Sequence, residues 1–250
     1  MGGHSKWSTI KRAKALTDSK RSKVWTKVIR EITVAARLGG GDPAANPRLR
    51  QSILDAKAVN MPKENIERAI KKGTGGTGEG ELKELVYEGY GPGGVAIIVE
   101  CFTDNNNRTA SDVRSTFTRN GGSFGATGSV SFLFNKKGRL LFEKTSTDEN
   151  KLMELSLENG AEDILQDEEG FTVICDPLNF HALKEVLDAK NMHSTVAEIA
   201  MIPATSKKVS GESAQKLLKM IDVLEDLDDV QNVWTNMDID DEEMDSLLAN

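Results

Sequence analysis

Lysine and arginine crowd one end of this 250-residue chain. Nine of the residues between Gly3 and Ile32 are basic: Lys6, Lys11, Arg12, Lys14, Lys20, Arg21, Lys23, Lys27 and Arg30. Only Asp18 and Glu31 oppose them. Clustered cations neutralise phosphates and release condensed counterions, and His4 and Trp7 can stack on bases or sugars. Small polar residues such as Ser5 lie between them. Up to Gly76 the chain holds 17 Lys/Arg and 6 Asp/Glu, whereas the remainder holds 15 and 33. A strongly positive segment therefore precedes a strongly negative one, within an overall charge of -7. That asymmetry points to a polyanion-binding module joined to acidic domains.

Other chemistries find little support. Of the three histidines, His4, His181 and His193, neither His181 nor His193 has a Cys, Ser or acid at a recognisable motif spacing. Cys101 and Cys175 each lie in an apolar run and read as buried, reduced thiols. No CxxC or His/Cys cluster suggests a metal. The expectation is a protein without cofactor or catalytic residues. Two GxGxxG patterns occur, at Gly73, Gly75, Gly78 and at Gly89, Gly91, Gly94. Nucleotide binding needs a strand before the pattern and a helix after it. Neither site has both, so they read as a linker and a tight turn. Asn107-Arg108-Thr109 fits a glycosylation sequon, which means nothing without a secretory signal. No apolar run reaches a membrane span, and the apolar face of the basic helix is needed for packing rather than for a membrane surface.

The elements that carry these residues follow from periodicity. Val24, Trp25, Val28, Ile29, Ile32, Ala35 and Ala36 form one stripe of a helix from Ser19 to Leu38. Lys20, Lys23, Lys27, Arg30 and Arg37 form the opposite stripe. Gly39 reads as its C′ residue. A second helix is expected from about Pro47 to Val59, and a third has Pro62 in its first position and Gly73 at its end. "GTGGTGEGE" reads as a flexible linker. Val95 to Thr103 reads as a buried strand and "NRTASDVRSTFTRNGG" as a helix. "GSVSFLFN" and "GRLLFEKT" read as two strands. Residues 138–205 read β-α-β-β-α-β, the ferredoxin-like pattern. "GESAQKLLKMIDVLEDL" then reads as a helix and "VQNVWTNMD" as a strand, completing the layer begun at Val95. "DDEEMDSLLAN" reads as a solvated acidic tail.

Seven segments in register carry a resemblance: "GHSKWSTIK", "DSKRSKVWTKVIREI", "AARLGGGDPAANPRLR", "NMPKENIERAIKKGTGG", "YEGYGPGGVAIIVE", "TDNNNRT" and "GSVSFLF". Together they resemble the YebC/PmpR family, whose mitochondrial relative is the translational activator of cytochrome c oxidase subunit I. The match runs from Gly3 to about Asp238. Ser8-Thr9 departs from a common Ala-Asn, and Trp25 stands where Phe is common, a change in packing rather than in binding. The resemblance implies an α+β multidomain protein: an N-terminal three-helix domain, then two α/β domains, one inserted in the other. The expected boundaries are 1–78 for the basic helical domain, 79–135 with 206–240 for the middle domain, 136–205 for the ferredoxin-like insertion, and 241–250 for the tail. It further implies a cytoplasmic regulator of gene expression. The partner would be DNA; the alternative it implies is a ribosome-associated translation factor that contacts ribosomal RNA and relieves stalls at proline-rich stretches, and the acidic domains could hold a protein partner. The contact set is then His4, Ser5, Lys6, Trp7, Lys11, Arg12, Lys14, Lys20, Arg21, Lys23, Lys27 and Arg30.

Overall fold

The computed structural model describes residues 18–75, 82–167 and 170–248. The chain forms two compact units, one of residues 1–131 with 206–250 and one of residues 132–205. Unit one opens with α1 (Asp18–Gly39), α2 (Pro47–Ala58) and α3 (Lys63–Gly73). Ile32, Ala35 and Ala36 of α1 pack with Leu49, Ala56, Met61, Ile66 and Ala69. Trp25 flanks this core, and its indole N–H donates to the Val59 carbonyl at 3.1 Å. Asn46 joins the end of α1 to the start of α2. Its Nδ2 donates to the carbonyls of Ala35 and Gly40, and its Oδ1 accepts from Leu49 N–H. That last bond is an N-cap. The helix ends shift slightly from expectation. Gly40, not Gly39, takes the left-handed conformation, with φ +85°. Gly39 is instead needed for space, because a Cβ there would lie 2.5 Å from Asn46 Nδ2. Pro62 is the residue preceding α3 rather than its first position.

Small residues let α1 and α3 touch. A Cβ on Gly73 would lie 2.3 Å from the Thr33 carbonyl oxygen and 2.8 Å from Ala36 Cβ. Both obstacles are fixed by a helix, so Gly73→Ala is expected to push the helices apart at a cost of about 2 kcal/mol. An unchanged thermal melt of that variant would show that the approach is loose.

The same unit continues into a sheet. β1 (Lys83–Gly91) and β2 (Val95–Thr103) form a hairpin closed by Pro92–Gly94. α4 (Asn106–Arg119) follows, and β3 (Ser123–Phe124) returns to pair with β1. β1 is a strand that the glycine pattern concealed.

Unit two begins within a 3₁₀ turn at Ser131–Leu133. β4 (Phe134–Glu143), α5 (Glu149–Glu158), β5 (Ala161–Gln166), β6 (Gly170–Cys175), α6 (Phe180–Ala189) and β7 (Val196–Pro203) form an antiparallel sheet of order β5-β6-β4-β7. The helices cover one face through Leu140, Phe142, Leu152, Phe171, Val173, Phe180, Leu183 and Leu187. The two strands expected around 128–145 are thus one strand preceded by a turn. The backbone N–H groups of Gly128, Val130 and Ser131 go to a carboxylate, described below, and that of Ser129 to the Ala126 carbonyl, instead of to a neighbouring strand.

The chain then re-enters unit one through β8 (Lys207–Lys208), α7 (Gly211–Glu225), β9 (Val230–Thr235), β10 (Met237–Asp238) and α8 (Asp241–Leu248). β9 pairs antiparallel with β2, giving the order β3-β1-β2-β9. α7 and α4 bury Leu217, Met220, Ile221, Leu224, Val113 and Phe117 against Ile97, Val99 and Cys101. The expected solvated tail is a helix. Met244 of α8 is fully buried and Leu247 packs on the same core. Asp241, Glu242 and Glu243 lie in its first turn, where the helix dipole favours negative charge. Among the described residues, no helix is long and apolar enough to cross a membrane.

Candidate nucleic-acid interface

His4, Ser5, Lys6, Trp7, Lys11, Arg12 and Lys14 lie outside the described residues. Lys20 and Arg21 fall on the first turn of α1, where the backbone alone is described. Further along α1 the basic stripe runs against the sheet of its own unit. Arg30 is only 18% exposed; its Nη1 lies 2.8 Å from Asp229 Oδ1 and donates to the carbonyls of Phe102 and Asp228. Lys23 Nζ lies 3.1 Å from Asp226 Oδ1, at the surface. Arg37 donates to the Leu82 carbonyl. All five residues from Ile32 to Ala36 are buried. A helix buried on consecutive positions has no free face there. α1 is therefore held between its own bundle and the sheet.

Asp229 is the centre of that contact. Arg108 approaches its Oδ2 with Nη2 at 2.8 Å and Nε at 3.2 Å, and Thr109 Oγ1 is 2.7 Å away. Its own backbone carbonyl accepts from Phe102 N–H at 2.9 Å. Burial pushes the Asp229 carboxyl up, but Thr109, Arg108 and Arg30 outweigh it and hold the group below the ordinary aspartate value. "TDNNNRT" thereby acquires a structural meaning. Asn105 caps α4 by accepting from Arg108 N–H, while Arg108 and Thr109 grip Asp229. A second link is Arg48. It donates from Nε to Glu31 at 2.7 Å and from Nη1 to Glu84 at 3.1 Å, with its guanidinium 5.9 Å from the Phe102 ring centre.

The segment before unit two is organised by Glu88. Its Oε1 accepts from Gly128 N–H at 2.7 Å, and its Oε2 from Val130 and Ser131 N–H, both at 2.8 Å. Burial pushes this carboxyl up as well, and the three backbone donors more than offset it, so it titrates low.

The described residues contain no group of three His, Cys, Asp or Glu arranged to hold a metal. Both thiols are buried. Burial and the charge of Asp229 push Cys101 up to about 12, against Lys27 and Arg30; burial pushes Cys175 up to about 11. Thiols so protonated are poor nucleophiles. A cleft of about 290 Å³ at the start of α7 is lined by Gly93, Lys208, Val209, Ser210, Ser213, Asp238 and Asp240, with neither His nor Cys.

Two family models match. Residues 5–76 match the TACO1/YebC protein N-terminal domain, and residues 82–237 match the TACO1/YebC second and third domain. The chain belongs to the TACO1/YebC family. Among curated members, a protein of Syntrophus aciditrophicus named "Probable transcriptional regulatory protein" is 55% identical over 250 residues, covering 100% of both chains. One of Treponema denticola with the same name is 53% identical over 239 residues, covering 96% of this chain and 97% of its own. The crystal structure of a conserved hypothetical protein from Aquifex aeolicus is similar with a TM-score of 0.82 and 45% identity, over 90% of this chain and 93% of that one. The family's fold is thus mixed α/β and multidomain, as the antiparallel sheets and eight described α-helices are here. Within it, Asp229, Glu88 and Arg48 are residues that sequence reasoning did not single out. Nothing near Asp229 in sequence distinguishes it from Asp226 and Asp228.

Proposed function

We propose that this member of the TACO1/YebC family is a non-catalytic, nucleic-acid-binding regulator of gene expression. The observation that carries the reading is the charge division, 17 Lys/Arg against 6 Asp/Glu up to Gly76 and the reverse imbalance beyond it. The names of its relatives support a regulatory role. Lys6, Lys11, Arg12, Lys14, Lys20 and Arg21 contact phosphates, and His4 and Trp7, beside Ser5, stack or insert. Lys27 joins them at the margin. Lys23 and Arg30, engaged by Asp226 and Asp229, anchor the helix from which this segment extends. In this reading the basic domain spans 1–78. The middle domain spans 79–135 and 206–240, with the helix Asp241–Leu248 packed on it, and residues 136–205 are its ferredoxin-like insertion. The acidic domains repel bulk nucleic acid and limit indiscriminate sticking.

DNA is the target that the relatives' names favour. Ribosomal RNA is the alternative, and one observation favours it: the enclosure of α1 between bundle and sheet suits reading of backbone and shape better than insertion of that helix into a major groove. Sedimentation of lysate through a sucrose gradient, with and without RNase, separates the two. Travel with ribosomal particles, lost on RNase treatment, would make translation the function. Protein at the top of the gradient that retards duplex DNA sequence-dependently would make it transcription. Failure of both would sink the proposal.

A further inference from the structure

We propose that one end of unit two is a docking surface for a basic amphipathic helix of a protein partner. α5 buries Leu152 and Ser156 but turns Met153 and Leu157 outward, four residues apart on one stripe. Leu157 is 57% exposed. Leu178, in the turn between β6 and α6, is 91% exposed. That turn is closed: Leu178 N–H donates to Asp176 Oδ1 at 2.8 Å and Asn179 N–H to the Asp176 carbonyl at 3.0 Å. It abuts the end of α5, where a Cβ on Gly160 would lie 3.1 Å from Asn179 Nδ2. Single exposed leucines are ordinary, whereas several gathered on one patch mark an interaction site.

Charge selects the occupant. α5 carries Glu149, Glu154 and Glu158 against Lys151 alone. Unit two as a whole holds 14 acidic and 7 basic residues. An apolar stripe rimmed by carboxylates complements a helix with an apolar stripe rimmed by Lys and Arg. The flexible Met153 adapts to the facing side chain.

The test uses the full-length protein and a fluorescent synthetic peptide of Leu, Lys and Arg patterned as an amphipathic helix, at physiological ionic strength. Anisotropy should report binding that weakens about tenfold or more in Leu157→Ser/Leu178→Ser and in Glu154→Lys/Glu158→Lys. All four positions are exposed, so both variants should melt as the wild type does. The proposal is overturned by undiminished binding in the leucine variant, or by equal binding of a scrambled peptide of the same composition. It is also overturned by wild-type self-association that the leucine substitutions abolish, which would make the occupant a second copy.

Discussion

Replacing Asp229 by alanine is expected to destabilise unit one by about 3 kcal/mol, because it strips a buried carboxylate from two guanidinium groups. Arg30, largely buried, would lose the anion that offsets its desolvation. Arg108 keeps Asp104 at 3.0 Å and is half exposed, which places the cost at the lower end for a broken buried pair. Thr109 and Thr103 would each lose Asp229 and retain their mutual bond, their backbone partners and, for Thr103, Arg108 Nη2 at 3.4 Å. By contrast, Asp226→Ala removes a surface pair with Lys23 and should change stability by less than about 1 kcal/mol. Denaturant midpoints of the two variants check the contrast directly. Protonation acts in the same direction as the Asp229 substitution. The folded carboxyl titrates below the ordinary 3.8. Its contribution is therefore complete above the unfolded value and is lost as pH falls through the folded one. Asp229→Asn should accordingly lose less stability than the wild type between about pH 5 and pH 2. Parallel acid profiles would mean that the network does not hold the carboxyl low.

Glu88→Gln is the second large effect. The carboxylate accepts three backbone N–H bonds, and a carboxamide can offer only one oxygen. Whichever way it turns, its NH₂ faces an N–H donor, so at least one buried amide loses its acceptor. The expected cost is about 3 kcal/mol. Its location is equally specific. Hydrogen exchange should accelerate at Gly128, Val130 and Ser131 while the amides of β2 exchange slowly as before. If those three amides exchange as fast in the wild type, Glu88 does not organise the segment.

Much of the fold was readable because local signals agreed. Val95–Thr103 and Gly211–Glu225 were marked by their apolar patterns, and Gly73 marked the end of α3. β1 was concealed because Gly89 and Gly91, poor strand formers, are there for space: a Cβ on Gly89 would lie 2.4 Å from the Ser123 carbonyl oxygen. α8 looked like a tail because its acids outnumber the few apolar residues that pack. The candidate site was readable in composition and only partly in geometry. A helical wheel separated the apolar stripe of α1 from its basic stripe, but it could not say what either stripe faces. Both face protein over most of the helix, and the acids that meet the basic stripe lie about two hundred residues away in sequence, as Lys23 and Asp226 show. Burial of Val34 and the capture of Arg30 follow from tertiary packing alone.

The measurement that bears most directly on the central claim is the salt dependence of nucleic-acid affinity, for the wild type and for a variant with Lys6, Lys11, Arg12 and Lys14 replaced by alanine. If six phosphates are neutralised, log affinity for duplex DNA should fall against log salt with a slope of about -5. Removal of four cations should bring that slope to about -2. A wild-type affinity that hardly responds to salt, or a variant slope equal to the wild type's, would contradict binding through the basic N-terminal segment.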